Sequence, residues 1–455
     1  MENELKLIVE ARWDLDCVPA GEASERGLLL RVVTPELKSS ASAKKTLNLT
    51  LVIDASGSMR GARLHAAKQA AMGIIERLSD EDRVSIVSFS DDVYLHVNGE
   101  CISPFNRGKI IHDIDLIETR GMTDLGGGWM AGADAAANIL DEIYIKTGNV
   151  VILSDGKTNR GLMDPLELAR HSTELQMRGI STSCVGIGDD YSPIQLDAIA
   201  EAGGGRLHDC ATADEIIEVL LGELGAIRET VASSVEIELD YATGTTTQML
   251  TRLPFRDEGN HIKARLGTLG SADKRDSAFL VEVPSCPAGE KFRFRYRVRW
   301  EDPETGERFE LPWATTFLTV VDPLHYQERF SDRDEATARQ IILLWRSSLV
   351  YESVRLNDAG QFHEAGNVID NDLQRLSRFV TGMTNGDELL RKMSRLYETV
   401  RRPWHNERAK RDSFTSSKKM MKSEVDYRSH VSEAWQDLES WRPDNGKSQS
   451  GKLQN

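Results

Sequence analysis

Between residues 48 and 230 short apolar runs alternate with segments of helical period, and no other feature restricts the fold so strongly. Residues 48–53 (Asn-Leu-Thr-Leu-Val-Ile) read as a strand that ends in Asp54, and Leu64, Ala67, Ala71, Ile74, Ile75 and Leu78 then recur at the spacing of one helix face. Residues 84–89, 150–153 and 180–187 are further β-rich runs, with helical patterns at 107–117, 128–144 and 164–178 and a last one at 213–229. Strands that are apolar throughout suit a sheet covered on both faces. The expected fold class is α/β, a doubly wound, mostly parallel sheet with helices on both sides. In such sheets the ligand crevice lies at the carboxyl ends of the strands.

The flanks read differently. Residues 4–10 and 27–34 are strand-like, with Pro19 and Gly21 breaking the stretch between them, and residues 233–321 return to β character. In 291–300, Phe292, Phe294, Tyr296, Val298 and Trp300 alternate with basic residues, so one face is buried and the other carries Arg293, Arg295, Arg297 and Arg299. That row is expected to be a solvated face balanced by nearby Glu301, Asp302, Glu304 and Glu307. The ends of an α/β unit of this kind emerge close together, so the β segments 1–45 and 231–322 are expected to pair into one sandwich-like unit beside the 46–230 domain.

Residues 332–400 are helical. Ile341, Leu344, Trp345, Leu349 and Val350 form one stripe, residues 357–360 (Asn-Asp-Ala-Gly) a turn, and Phe362, Ala365, Val368, Ile369 and Leu373 a second helix. The pair is reminiscent of a tetratricopeptide-like hairpin, but no second copy follows at a fixed period. Residues 401–455 turn polar, with eight Lys or Arg between Arg401 and Lys422. This tail is expected to be loosely ordered and suited to an acidic surface.

A chain of 455 residues holds two to four domains at roughly 100 to 200 residues each. The net charge of -16 argues against nucleic acid as a partner, because phosphate recognition needs a basic footprint. No run approaches the roughly 18 apolar residues that span a bilayer, and Met1 to Ile8 lack a signal-peptide core. The five cysteines (Cys17, Cys101, Cys184, Cys210, Cys286) are scattered and odd in number, as reduced thiols would be. A cytoplasmic protein is the expectation.

The chemistry gathers where the first strand of the α/β unit ends. Asp54-Ala55-Ser56-Gly57-Ser58 places one carboxylate and two hydroxyls at alternate positions on a loop, and Gly57 permits a tight turn between them. By topology two more segments reach the same edge. Gly121-Met122-Thr123-Asp124-Leu125-Gly126-Gly127-Gly128 opens a helix and brings Thr123; Leu153-Ser154-Asp155-Gly156 ends a strand and brings Asp155. An oxygen-only set suits a hard divalent cation, chiefly Mg²⁺, with Mn²⁺ and Ca²⁺ as competitors.

These five positions, with the Ser79–Ser90 stretch, resemble the von Willebrand factor A family over roughly residues 46–230. Its metal-ion-dependent adhesion site is Asp-x-Ser-x-Ser, a loop Thr and a strand-end Asp, matched here by Asp54, Ser56, Ser58, Thr123 and Asp155. The resemblance implies a cation held by these residues, partly through water, with one coordination position left for an acidic residue of a partner protein. It implies a non-enzymatic adaptor. Two other readings stay open: an adaptor subunit of an AAA+ ATPase machine, and a metal-dependent hydrolase with Asp124 or Asp189 as base.

Other motifs lead nowhere. Gly156-Lys157-Thr158 lacks the glycine a phosphate-binding loop needs five positions before Gly156, where Val151 stands. Gly203-Gly204-Gly205 reads as a helix end and turn. His65, His171 and His208 stand singly, and Cys184 sits in an apolar strand.

Overall fold

The computed structural model describes residues 6–36 and 46–404, apart from 143–144, 157, 159, 189–190, 211 and 385, together with Phe414. Three strands open the chain: β1 (Ile8–Trp13), β2 (Cys17–Pro19) and β3 (Ser24–Val33). The α/β unit follows as β4 (Asn48–Asp54), α1 (Ala62–Arg77), β5 (Arg83–Phe89), β6 (Val93–Cys101), α2 (Arg107–Asp115) and α3 (Leu125–Glu142), then β7 (Gly148–Ser154), α4 (Pro165–Met177), β8 (Ile180–Ile187), α5 (Pro193–Ala202), β9 (Gly204–Cys210) and α6 (Ala213–Arg228). Its sheet runs β6-β5-β4-β7-β8-β9, parallel except for the edge strand β6.

The doubly wound arrangement has a simple origin. Leu49, Leu51 and Ile53 of β4 face one helical layer with α1 and α6, while Val52 faces the other with α3. Every residue of β4 is buried, the polar Asn48 and Thr50 as fully as the apolar positions between them, as befits a central strand covered on both faces. On the second face α3 lies close: a Cβ on Gly128 would come within 2.4 Å of Phe89, and one on Gly132 within 2.4 Å of Val52. The glycines after Leu125 belong to the helix, which begins there and not at 128.

The flanking strands form two antiparallel-rich sheets. After β10 (Thr230–Asp240), β11 (Thr246–Met249), β12 (Phe255–Asp257), β13 (His261–Gly270), β14 (Lys274–Val283), β15 (Lys291–Glu301), β16 (Arg308–Glu310) and β17 (Ala314–Val321), one sheet runs β1-β3-β14-β11 and the other β12-β13-β10-β15-β17-β2, with β16 on β15. Leu28, Leu30, Phe279 and Val281 of the first sheet meet Ile237, Leu239, Phe294 and Val298 of the second in one core, so segments on either side of the α/β unit close a single sandwich.

The outer face of the first sheet is also covered. Leu29, Ala278 and Leu280 pack on Ile341, Trp345 and Phe379 of the helical region, which explains the unbroken Leu28-Leu29-Leu30 run: β3 is buried on both faces. That region comprises α7 (Pro323–Phe330), α8 (Glu335–Asp358), α9 (Phe362–Val380) and α10 (Gly386–Val400), so the expected hairpin is extended by a third long helix packed on α9. Most of the basic 401–455 tail lies outside the described residues; Phe414 is buried against Tyr351, Val350 and Ile194.

Arg295, Arg297 and Arg299 of the arginine row are paired, but with partners other than the expected acids downstream. Register sets Arg295 opposite Asp240, Arg297 opposite Glu238 and Arg299 opposite Glu236. Arg295 bonds Asp240 (2.5 Å), Arg297 bonds Glu238 (2.6 Å), and Arg297 and Arg299 both reach Glu310. The face is a cross-strand charge ladder, and Trp313 stacks under Arg295 and Arg297.

Candidate metal centre

The five oxygen-bearing residues meet at the carboxyl edge of the parallel sheet. Asp54 is the last residue of β4, and a single 3-10 turn, Gly57–Met59, leads from it to α1. Backbone bonds join the loops: Ala55 N–H donates to Phe89 O (2.7 Å), Gly57 N–H to Gly121 O (3.1 Å) and Arg120 N–H to Ala55 O (2.6 Å). The Thr123 loop is thereby fixed against the Asp54 loop.

Ser56 Oγ and Ser58 Oγ are 3.0 Å apart, and Ser58 Oγ donates to Asp155 Oδ1 at 2.7 Å. A Cβ placed on Gly156 would lie 3.4 Å from Thr123 Oγ1 and 3.6 Å from Ser58 Oγ, so these two hydroxyls face the same small space beside Gly156. Asp54 stands behind the serines, accepting from Ser56 N–H (2.8 Å) and from Ser154 Oγ (2.5 Å). Asp54, Ser56, Thr123 and Asp155 are buried, whereas Gly57 and Ser58 are exposed. The cluster is closed behind and open at Ser58.

Burial pushes the Asp54 carboxyl up to about 6, against the hydrogen bonds from Ser154 and Ser56, and the charge of Asp155 adds to the rise. Two carboxylates at a buried edge, with hydroxyls turned toward them, form a site that a cation would relieve. The donor set, all oxygen and open on one side, fits a hard divalent ion.

Some participants escape a reading by spacing. Ser154, one residue before Asp155, fixes Asp54, and Arg63 pairs with Asp155 Oδ2 at 2.5 Å. Asp124, a candidate base in the hydrolase reading, caps α3 instead: its Oδ1 accepts from Gly127 N–H at 2.9 Å. Asp189 lies outside the described residues. His208 bonds the buried Glu223 and is remote from this edge in the sheet order, on β9. Gly203 ends α5 and Gly204 approaches the sandwich, where a Cβ on Gly267 would fall 2.7 Å from Gly204 Cα.

Residues 48–219 match the family described as von Willebrand factor type A domain. The chain carries a von Willebrand factor type A domain. Beyond the domain, an uncharacterized Synechocystis protein is 22% identical over 289 residues, 61% of this chain and 67% of that one. Human inter-alpha-trypsin inhibitor heavy chain H3 is 31% identical over 314 residues, 65% of this chain but only 34% of the heavy chain, so the chain spans about a third of that relative's length. Among solved structures, a von Willebrand factor type A protein from Catenulispora acidiphila shares the fold with a TM-score of 0.61 at 17% identity, covering 83% of this chain and 90% of that one. The VWA2 paralog of ArnB from Sulfolobus acidocaldarius has a TM-score of 0.51 at 15% identity, covering 91% and 98%. These coverages extend past the von Willebrand factor A domain into the sandwich and helices.

Proposed function

We propose that this protein is a non-enzymatic adaptor whose von Willebrand factor A domain binds a protein partner through a divalent cation, most simply Mg²⁺. Asp54, Ser56, Ser58, Thr123 and Asp155 would hold the ion, and an acidic side chain of the partner would complete its coordination. The cation supplies the positive centre that a carboxylate can bind; the chain supplies the oxygen cage and its open side. The observation that carries this reading is the gathering of the Ser56, Ser58 and Thr123 hydroxyls beside buried Asp155, with buried Asp54 behind the serines, at an edge where Ser58 stays exposed. The hydrolase reading has less support, because Asp124 is engaged in capping α3. The five cysteines are all thiols, which suits a reducing compartment.

The test is calorimetric titration of Mg²⁺, Mn²⁺ and Ca²⁺ into the wild type and Asp54→Ala, followed by capture of partners with and without chelator. Saturable binding in the wild type, lost in the variant, with partners released by chelator, is the expected result. A wild type that binds none of the three ions overturns the reading.

A further inference from the structure

We infer that Arg63 is a built-in counter-ion of the metal site, which holds down the affinity for the cation and leaves the loaded site with a net positive charge for an acidic ligand. The inference rests on the metal-binding reading above and assigns a role to a residue outside the five-position motif.

Arg63 lies at the start of α1, nine residues after Asp54. Its Nη1 donates to Asp155 Oδ2 at 2.5 Å while the other carboxylate oxygen, Oδ1, accepts from Ser58 Oγ. Asp155 is fully buried and Arg63 about one third exposed, so the guanidinium reaches inward from the rim. Its seat is shaped: Gly188, past the end of β8 with φ +76°, leaves room where a Cβ would stand 3.0 Å from Arg63 Nη2 and 3.2 Å from Cζ. A side chain at 188 would crowd the guanidinium.

The charges follow. Asp54 and Asp155 bring two negative charges when ionised and Arg63 cancels one, so a divalent ion leaves the three residues and the ion with one positive charge in excess. A single carboxylate from a partner neutralises that excess. Without Arg63 the same ion would make the set neutral and less attractive to an anion. Arg63 therefore opposes the cation, by repulsion and by occupying Asp155, and favours the acidic ligand. Removing it leaves Asp155 as a buried carboxylate without that partner, which destabilises the metal-free protein specifically.

The experiment compares wild type, Arg63→Ala and Arg63→Lys by Mg²⁺ calorimetry and by thermal unfolding in EDTA and in saturating Mg²⁺. Arg63→Ala is expected to bind Mg²⁺ tighter by on the order of tenfold, about 1.4 kcal/mol. Its melting temperature should fall in EDTA and recover toward wild type in Mg²⁺, while Arg63→Lys, which keeps the charge, stays near wild type in affinity. Unchanged or weaker Mg²⁺ binding by Arg63→Ala, or an equal loss of stability with and without Mg²⁺, overturns the inference. Absence of Mg²⁺ binding in the wild type overturns instead the metal reading beneath it.

Discussion

Asp54→Asn should make the metal-free protein more stable while destroying its response to magnesium. The substitution keeps the shape, and asparagine can still accept from Ser56 N–H through its carbonyl oxygen and donate to Ser154 Oγ through its amide, so both contacts of Asp54 survive. What disappears is the buried charge. The Asp54 carboxyl rises from 3.8 to about 6 on folding, chiefly through burial, and each unit is worth about 1.4 kcal/mol, so ionising it in the folded protein costs about 3 kcal/mol at neutral pH. Because the folded value is the higher one, the contribution of Asp54 to stability is fully present below pH 3.8 and is lost as pH rises through about 6. The advantage of the variant should thus be near zero at pH 4 and approach about 3 kcal/mol by pH 7. Scanning calorimetry in EDTA over this range, repeated in excess Mg²⁺, reads both effects. A variant less stable than wild type at pH 7 in EDTA, or one advantage at every pH, would refute the reasoning, since neither can come from an unrelieved carboxylate.

Two further outcomes follow from buried ion pairs elsewhere. Arg252, three residues past the end of β11, bonds the fully buried Asp197 of α5 (2.6 Å) and lies over the Tyr351 ring of α8 (3.3 Å), so one side chain joins the sandwich, the von Willebrand factor A domain and the helices. Arg252→Ala should cost about 3 kcal/mol, the low end for a broken buried pair because Arg252 is partly exposed, and calorimetry should show the domain and the helices melting less cooperatively. Burial would raise the Glu223 carboxyl, but Arg206, His208 and Ser183 outweigh it and hold the group well below its ordinary range. Its stabilisation is present above the unfolded value and is lost as pH falls below it; Glu223→Gln should be less stable at pH 7 and show a flatter acid limb in a pH series of melting temperatures.

The central strands of the parallel sheet were legible because each is a short, β-branched-rich run with no helical period, as in Leu51-Val52-Ile53 of β4 and Val150-Val151-Ile152-Leu153 of β7, buried on both faces. The edge strand β6 was not, since its Val93, Tyr94 and Leu95 are exposed apolar residues that mark no buried face. The acidic partners of the arginine row were sought at 301–307, yet they are Glu238 and Asp240, about sixty residues earlier on the neighbouring strand, and Glu310 on the next one. Pairing across strands decides such partners, and only register reveals it. At the site, spacing brought out the five oxygen donors because a loop, a helix start and a strand end all belong to one sheet edge. Ser154 and Arg63 were missed because their parts depend on where side chains turn: Ser154 reaches sideways to Asp54, and Arg63 folds back from α1 to Asp155.

The way the von Willebrand factor A domain is inserted explains why its carboxyl edge is the one that stays open. Chain enters at the start of β4 and leaves at the end of α6, both at the opposite edge, where buried Asp82 accepts from Leu47 N–H (2.9 Å) and Ser79 N–H (2.6 Å) and pairs with Arg228 (2.6 Å). The close approach of Gly204 and Gly267 fastens the same edge to the sandwich, and any side chain there would force the two apart. A second support comes along the flank, where Ile194 at the start of α5 packs on Val350, Tyr351 and Phe414. Its neighbour Gln195 donates from Nε2 to Met163 O (2.9 Å), and Thr158, in the same stretch, donates from Oγ1 to Thr123 O (3.0 Å). The sandwich thus grips the base of the domain and the helices brace one side up to the loops of the site, which leaves Gly57, Ser58, Gly121 and Met122 exposed at the top. In the proposed reading, a partner reaching the cation would approach that face without displacing either support.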